Sequence, residues 1–235
     1  MSESARRGFQ PADRREFGEE ALPKLRTAAR HISYLLDEGY GMKQASVFVG
    51  NHFLLSGRQR LALMRSLAST SQLIERKKKE LEPEDMQGRE VYIDGFNIMI
   101  TLEIALLDAT LLMGKDGCVR DLAGLRGTYR IIEVTRQAAE LLQKTLQELK
   151  IARANVLLDA PVSNSGRLKT LLAETHEGGF ELDISLENKV DALLQGRENV
   201  ISADSGVLDD CVSWFNLVPL CLERAGRSEL PVQVW

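Results

Sequence analysis

Three aspartates close short apolar runs in the second half of this 235-residue chain. Val91-Tyr92-Ile93 leads into Asp94, Val156-Leu157-Leu158 into Asp159, and Val200-Ile201-Ser202-Ala203 into Asp204. A fourth acid, Asp191, follows Asn188-Lys189-Val190 at the start of a predicted helix. A β-rich run that stops at a carboxylate is how a buried parallel strand delivers an acid to the carboxyl edge of a sheet, where α/β folds keep their sites. Carboxylates gathered there repel one another and resist ionisation unless a cation lies between them. Mg²⁺ or Mn²⁺ suits such a donor set, because these hard cations take oxygen ligands and keep part of their water. An ion held this way can activate a water and stabilise charge developing on a phosphate. Taken singly, each acid has a plainer reading as a helix N-cap. Four of them in one pattern are harder to explain as caps alone.

Other polar residues flank the acids. Asn97, three positions after Asp94, can orient a carboxylate, contact a phosphate or cap a helix. Ser163-Asn164-Ser165-Gly166-Arg167 follows Asp159 at a predicted helix start. Ser163, Asn164, Ser165 and Arg167 could hold a phosphate there, or form an ordinary capped loop. The stretch Arg120-Asp121-Leu122-Ala123-Gly124-Leu125-Arg126-Gly127-Thr128-Tyr129-Arg130 brings Arg120, Arg126, Tyr129 and Arg130 near the first strand's helix. It reads either as a guide for a nucleic-acid strand or as a salt-bridged surface loop.

The elements that must position these groups alternate. Strands are expected at 91–93, 154–158, 180–184, 199–202 and 217–221, with helices at 99–113, 129–150, 167–176, 190–195 and 207–211. Alternation without a hairpin signal predicts an α/β fold, a doubly wound parallel sheet, over residues 90–235. A polar tail (1–18) and a small all-helical unit (19–73) precede it, followed by a charged linker (74–89). In the helical unit Leu22, Leu25, Ala28, Ala29, Ile32, Leu35 and Leu36 follow the helical period. A second helix is expected over 43–51 and a third over 58–71, with Ser56 as its N-cap. This reads as a helix-turn-helix that grips nucleic acid through Arg58, Arg60 and Arg65, or as a bundle that packs on its neighbour or pairs with a second copy of the chain.

Composition narrows the class. Hydrophobic residues make up 44% and charged residues 27%, which supports a packed core. Residues 1–90 carry 16 Lys and Arg against 13 Asp and Glu, a net +3; residues 91–235 carry 14 against 21, a net −7. An acidic half beside a basic half suits metal chemistry on a polyanion. Over 58–79, Arg58, Arg60, Arg65 and Arg76 to Lys79 face a single acid, Glu75, either as a phosphate-contacting strip or as solvated helix ends. Cys118, Cys211 and Cys221 are widely spaced and lack a CxxC pair, which argues for reduced cytoplasmic thiols rather than zinc or disulfides. The charged first 20 residues predict no signal peptide. The apolar run 98–113 contains Glu103 and Asp108 and falls short of the roughly 20 residues a bilayer span needs, so a buried helix and no membrane partner are expected.

Residues from about 90 to 222 resemble the PIN-like nucleases, most closely their NYN branch. Asp94-Gly95-Phe96-Asn97 is similar to that family's opening D-G-x-N, Lys189-Val190-Asp191 to its K-x-V-D with one residue fewer, and Ser202-Ala203-Asp204-Ser205 to its S-x-D-S/T. The resemblance implies a Rossmann-like fold and a Mg²⁺- or Mn²⁺-dependent endonuclease, usually of RNA. It implies metal-binding roles for Asp94, Asp191 and Asp204, with Asp159 where the family often has a further acid. One departure is Gly206, where the family often carries an acid; Asp209 and Asp210 are candidate substitutes. Tyr34-Leu35-Leu36, Gly39-Tyr40, Ala45, Val49-Gly50-Asn51, Leu55-Ser56 and Arg60 resemble a small helical domain of bacterial and archaeal proteins whose function is unknown. The expectation is therefore a nuclease with nucleic acid as partner. The alternative is a non-catalytic nucleic-acid-binding protein that uses its helical head. A haloacid-dehalogenase-like phosphatase is excluded, since that chemistry needs an acid two residues after Asp94 and Phe96 stands there.

Overall fold

The computed structural model describes residues 7–124, 127–227 and 231–235. The helical part consists of α1 (Asp13–Glu16), α2 (Leu22–Asp37), α3 (Met42–His52), α4 (Gly57–Ser66) and α5 (Thr70–Lys79). α2 buries Leu25, Ala28, Ala29 and Ile32, the stripe its periodicity marks. Ser56 and Ser69 start α4 and α5 with capping boxes closed by Gln59 and Gln72, so the chain breaks between the two helices.

The α/β part follows as β1 (Glu80–Leu81), β2 (Glu90–Asp94), α6 (Gly95–Leu106), β3 (Leu111–Met113), β4 (Val119–Asp121), α7 (Thr135–Glu148), β5 (Arg153–Asp159), α8 (Ser165–Glu174), β6 (Glu181–Glu187), α9 (Val190–Leu194), β7 (Val200–Ile201), α10 (Ser205–Asp210), β8 (Trp214–Phe215) and α11 (Leu217–Arg224). Among the described residues, six strands make one parallel sheet in the order β1-β8-β7-β2-β5-β6. β2 is the pivot. From it the chain moves outward through β5 and β6, then returns to its other flank for β7 and β8. This is the Rossmann-like, doubly wound α/β fold, and the crevice between β2 and β7 is its topological switch point.

Four features depart from the sequence reading. The linker is ordered: residues 70–79 are α5, and Glu80–Leu81 adds the edge strand β1. Residues 111–121 form an antiparallel hairpin, β3 with β4. Asp108, at φ 50°, breaks the helix early, and Gly117, at φ 79°, supplies the turn. The expected strand at 217–221 is helix α11, where Pro219 sits in the first turn, a place proline tolerates. The polar tail is partly structured, since α1 buries Asp13 and Phe17 joins the helical core.

That core is shared. Leu112 and Leu122 of the hairpin and Val234 near the C-terminus pack with Leu25, Ile32 and Leu63 of the helices. At ~1.5–3 kcal/mol for each large apolar side chain buried, these insertions fasten the helical part to the α/β part. No helix among the described residues is long and apolar enough to cross a membrane.

Candidate functional site

The four aspartates stand at the carboxyl edge. β2 ends at Asp94 and β5 at Asp159, while Asp204 lies three residues beyond the end of β7. Asp191 sits in the first turn of α9. Asp94 and Asp204 thus flank the switch point between β2 and β7. Asp159 is in register with Glu187 at the end of β6, a further edge acid that the sequence reading passed over.

Asp94 is 6% exposed. One of its carboxylate oxygens accepts the Asn97 amide at 3.4 Å and the other accepts the Ser202 hydroxyl at 2.9 Å. Burial pushes its pKa up to about 7; the nearby charges of Asp191 and Asp204 add to that, while its hydrogen bonds oppose it. Asp191, although it reaches solvent, is raised first by partial desolvation and then by Asp204 and Asp159. No cationic side chain is among the groups acting on Asp94 or Asp191.

Asp204 caps α10, one oxygen accepting the amides of Gly206 at 2.8 Å and Val207 at 3.3 Å. Capping therefore describes both Asp94 and Asp204 correctly, and it leaves the second oxygen of Asp204 without a protein partner among the described residues. The Asp159 carboxylate accepts the Val190 amide at 3.3 Å, linking β5 to the start of α9.

Two residues bind this edge into one unit. The Ser202 hydroxyl bridges, donating to Asp94 and accepting the Asp204 amide at 3.0 Å. Asn97 turns its side-chain oxygen to the Ala203 amide at 2.8 Å, so it orients the loop that carries Asp204. Gly95 is also dictated by packing: a Cβ there would lie 2.6 Å from Leu158 Cδ2 and 2.9 Å from the Leu157 carbonyl oxygen. Ser202 was legible as a hydroxyl ending an otherwise apolar strand, a position that calls for a polar partner.

The donor chemistry fits a hard cation. The acids are oxygen ligands that repel one another; Arg120 acts on Asp204, while no cationic side chain is among the groups acting on Asp94 or Asp191. Among the described residues no three His, Cys, Asp or Glu side chains are grouped so that they could hold a metal ion. A hard cation here would rest on one or two of the carboxylates and fill its remaining positions with water and substrate oxygens, as Mg²⁺ does.

Other sequence candidates are engaged elsewhere. Ser163 exchanges hydrogen bonds with the Tyr129 backbone, at 3.0 and 3.2 Å, and Asn164 donates to the Tyr129 carbonyl at 2.7 Å. Ser165 is buried and donates to the Ala160 carbonyl, so this loop is internally bonded. Arg167 and Arg130 are exposed, and Arg126 lies outside the described residues. Tyr129 is buried, donating to Glu103 at 2.6 Å, so it cannot guide a strand. Asp209 cannot replace an acid at Gly206, because Arg76 and Gln72 hold its carboxylate. Asp210 accepts from Gln195.

The basic strip is mainly a brace. Arg58 is bound to Asp13 and to the carbonyls of Gly8 and Leu122. Arg60 donates to the Leu55 carbonyl and to Asn51, and Arg65 to Asp121. Lys79 donates to the carbonyls of Leu208, Asp209 and Cys211 at the end of α10. Arg76 joins Asp116 at 2.6 Å; Asp116 also holds Arg120, whose Nε donates to the Ala203 carbonyl at 2.6 Å. A chain of buried charge thus runs from α5 through the hairpin to the loop bearing Asp204. Lys77 and Lys78 stay exposed, in local pairs with Glu80 and Glu75.

Two family models match the chain. Residues 24–79 match a protein of unknown function, DUF434, and residues 83–219 match a domain of unknown function, DUF5616. An uncharacterized protein of Methanocaldococcus jannaschii, MJ0935, is 31% identical over 185 residues, which is 78% of this chain and 88% of that protein. No solved structure matches. The first match closes with α5 and the second opens just past β1, so the two meet at the brace, and the chain belongs to the DUF5616 family.

Proposed function

We propose that the chain is a divalent-cation-dependent endonuclease that hydrolyses phosphodiester bonds, with RNA as the preferred substrate. One observation carries the reading: Asp94 is buried at the switch point beside Asp204 and Asp191, with like charges around it and no cationic side chain among the groups acting on it. Asp94, Asp191 and Asp204 are the residues that would hold Mg²⁺ or Mn²⁺. The ion would supply activation of a water and neutralisation of the charge that builds on the phosphate.

The chain's own residues do the remaining work. Ser202 and the Asn97 amide fix the Asp94 carboxylate, so that its orientation does not depend on the ligand. The Asn97 side chain fixes the Ala203 backbone and with it the approach of Asp204. Asp159, whose charge acts on Asp191, has the role of orienting the attacking water. The resemblance to PIN-like nucleases supports the same assignment. The free, buried cysteines agree with the cytoplasmic location this reading includes.

The test is incubation of end-labelled RNA and DNA with the protein in Mn²⁺, beside Asp94→Asn. Cleavage by the wild type and its loss in the variant support the reading. Absence of cleavage, or cleavage that survives Asp94→Asn, overturns it.

A further inference from the structure

Two hollows lie beside α4, and one of them reaches Asp204. One, of about 290 Å³, lies between Leu61 and Met64 of α4 and the polar side chains of Asn97, Thr101 and Asp204. The other, of about 340 Å³, continues past Met64 toward Tyr40, with Gln72 and Arg76 on its far side. Met64 and Ser205 border both, so the two are neighbours, a trough that starts at Asp204 and follows the helical part.

The two walls differ in chemistry. The helical wall offers apolar and aromatic surface: Leu61, Met64 at 37% exposed and Tyr40 at 58% exposed. The rest of the lining is polar, with amide, hydroxyl and carboxylate groups from Asn97, Ser205 and Asp204 and the side chains of Arg65 and Arg120 beside them. An occupant must therefore be apolar and flat along one side and polar along the other. Unstacked bases on a sugar–phosphate backbone have that shape. Each hollow is the size of a small-ligand pocket, far too small for a duplex. Duplex binding is also ill served by the charges: Arg58, Arg65, Arg76, Lys79 and Arg120 are held by internal partners, so the described residues show no continuous rail of free cations to grip paired phosphates.

We propose that the trough holds a single-stranded stretch of the substrate, with bases against Tyr40, Met64 and Leu61 and the backbone passing over the acid edge. This rests on the phosphodiesterase reading of that edge, and it makes the helical part half of the substrate site. Binding then draws on stacking of the bases as well as on contacts to the backbone.

Fluorescence anisotropy tests this, with a short labelled RNA, free or annealed to its complement. The buffer contains Ca²⁺ as an oxygen-seeking ion. The proteins are the full-length wild type, Tyr40→Ala, Met64→Ala and Phe48→Ala, each first checked by thermal melting. Tyr40 and Met64 are exposed, so their truncation leaves the fold intact; Phe48, 71% exposed and outside the trough, is the control. The single strand binds better than the duplex, Tyr40→Ala weakens it by about fivefold or more, the lower end for one base stacked on an aromatic ring, and Met64→Ala weakens it in the same direction. Phe48→Ala binds like the wild type. Equal binding of the duplex, no binding of either form, or indifference to both trough variants overturns the proposal. Cleavage in Mn²⁺ is read separately. Trough-dependent binding without cleavage upholds the trough and removes the nuclease reading. Cleavage with unaltered binding by both trough variants does the reverse.

Discussion

Ser202 and Asp94 share a hydrogen bond of 2.9 Å across the switch point, the hydroxyl at the end of one strand donating to the carboxylate at the end of its neighbour. The same hydroxyl accepts the Asp204 amide, so one atom sets the spacing of two candidate ligands. Ser202→Ala removes both bonds at a stability cost of about 1 kcal/mol each. The larger effect is on function: cation affinity or cleavage falls roughly 10–100-fold, as for other residues that orient ligands. Titration of Mn²⁺ against cleavage rate checks this.

Asp94 sets a pH dependence with a definite sign. Its pKa in the folded chain is raised to about 7, well above the ordinary aspartate range. The folded state therefore binds this proton more tightly than the unfolded chain does. The contribution is fully present below about pH 4 and is lost as pH rises through about 7, a change on the order of 4 kcal/mol. In chelator, denaturant midpoints of the wild type fall between pH 5 and pH 8 through this group, and Asp94→Asn flattens that slope. Mn²⁺ restores stability to the wild type at pH 8 and not to the variant.

Asp204→Asn separates a cap from a ligand. Asparagine caps helices about as well as aspartate, so α10 keeps its start and the melting midpoint stays within about 2 °C. The second oxygen of Asp204 is replaced by a nitrogen donor that a hard cation rejects. The stabilisation by Mn²⁺ seen in wild-type melting disappears in this variant.

Asp116 acts in the opposite sense to Asp94. Its own burial works against ionisation, but Arg120 and Arg76 outweigh it and hold the carboxyl below the usual range. Its contribution is present above the unfolded pKa and lost as acid protonates it. Asp116→Asn leaves the buried Arg120 guanidinium without its counter-charge and Arg76 with Asp209 alone, and costs about 3–5 kcal/mol, measured by denaturant unfolding at neutral pH.

The strand-end aspartates and the parallel sheet could be read from short-range patterns, because an apolar run ending in an acid is a local signal. The hairpin could not. Leu111, Leu112 and Met113 continue an apolar run that reads as helix, and only the left-handed Asp108 separates them from α6. The basic strip was ambiguous for a different reason. Arg76 and Lys79 find their partners in Asp116, Asp209 and the end of α10, more than a hundred residues away in most cases. Charge counting along a sequence cannot register such pairings. Asn97 was marked as a site residue, yet its link to Ala203 also joins segments far apart in the chain.

The shared core of Leu25, Ile32 and Leu63 with Leu112, Leu122 and Val234 has a consequence for the order of assembly. The helices leave the ribosome first, yet their apolar stripe waits for the hairpin and for residue 234 before it is covered. The portion synthesised earliest is completed last, and its contacts span most of the sequence. Such distant closure slows folding. It also means that the α/β half, released alone, would bare Leu112, Leu122 and Val234 to water, so the helical region behaves less as an appendage than as the lid of the other half's core.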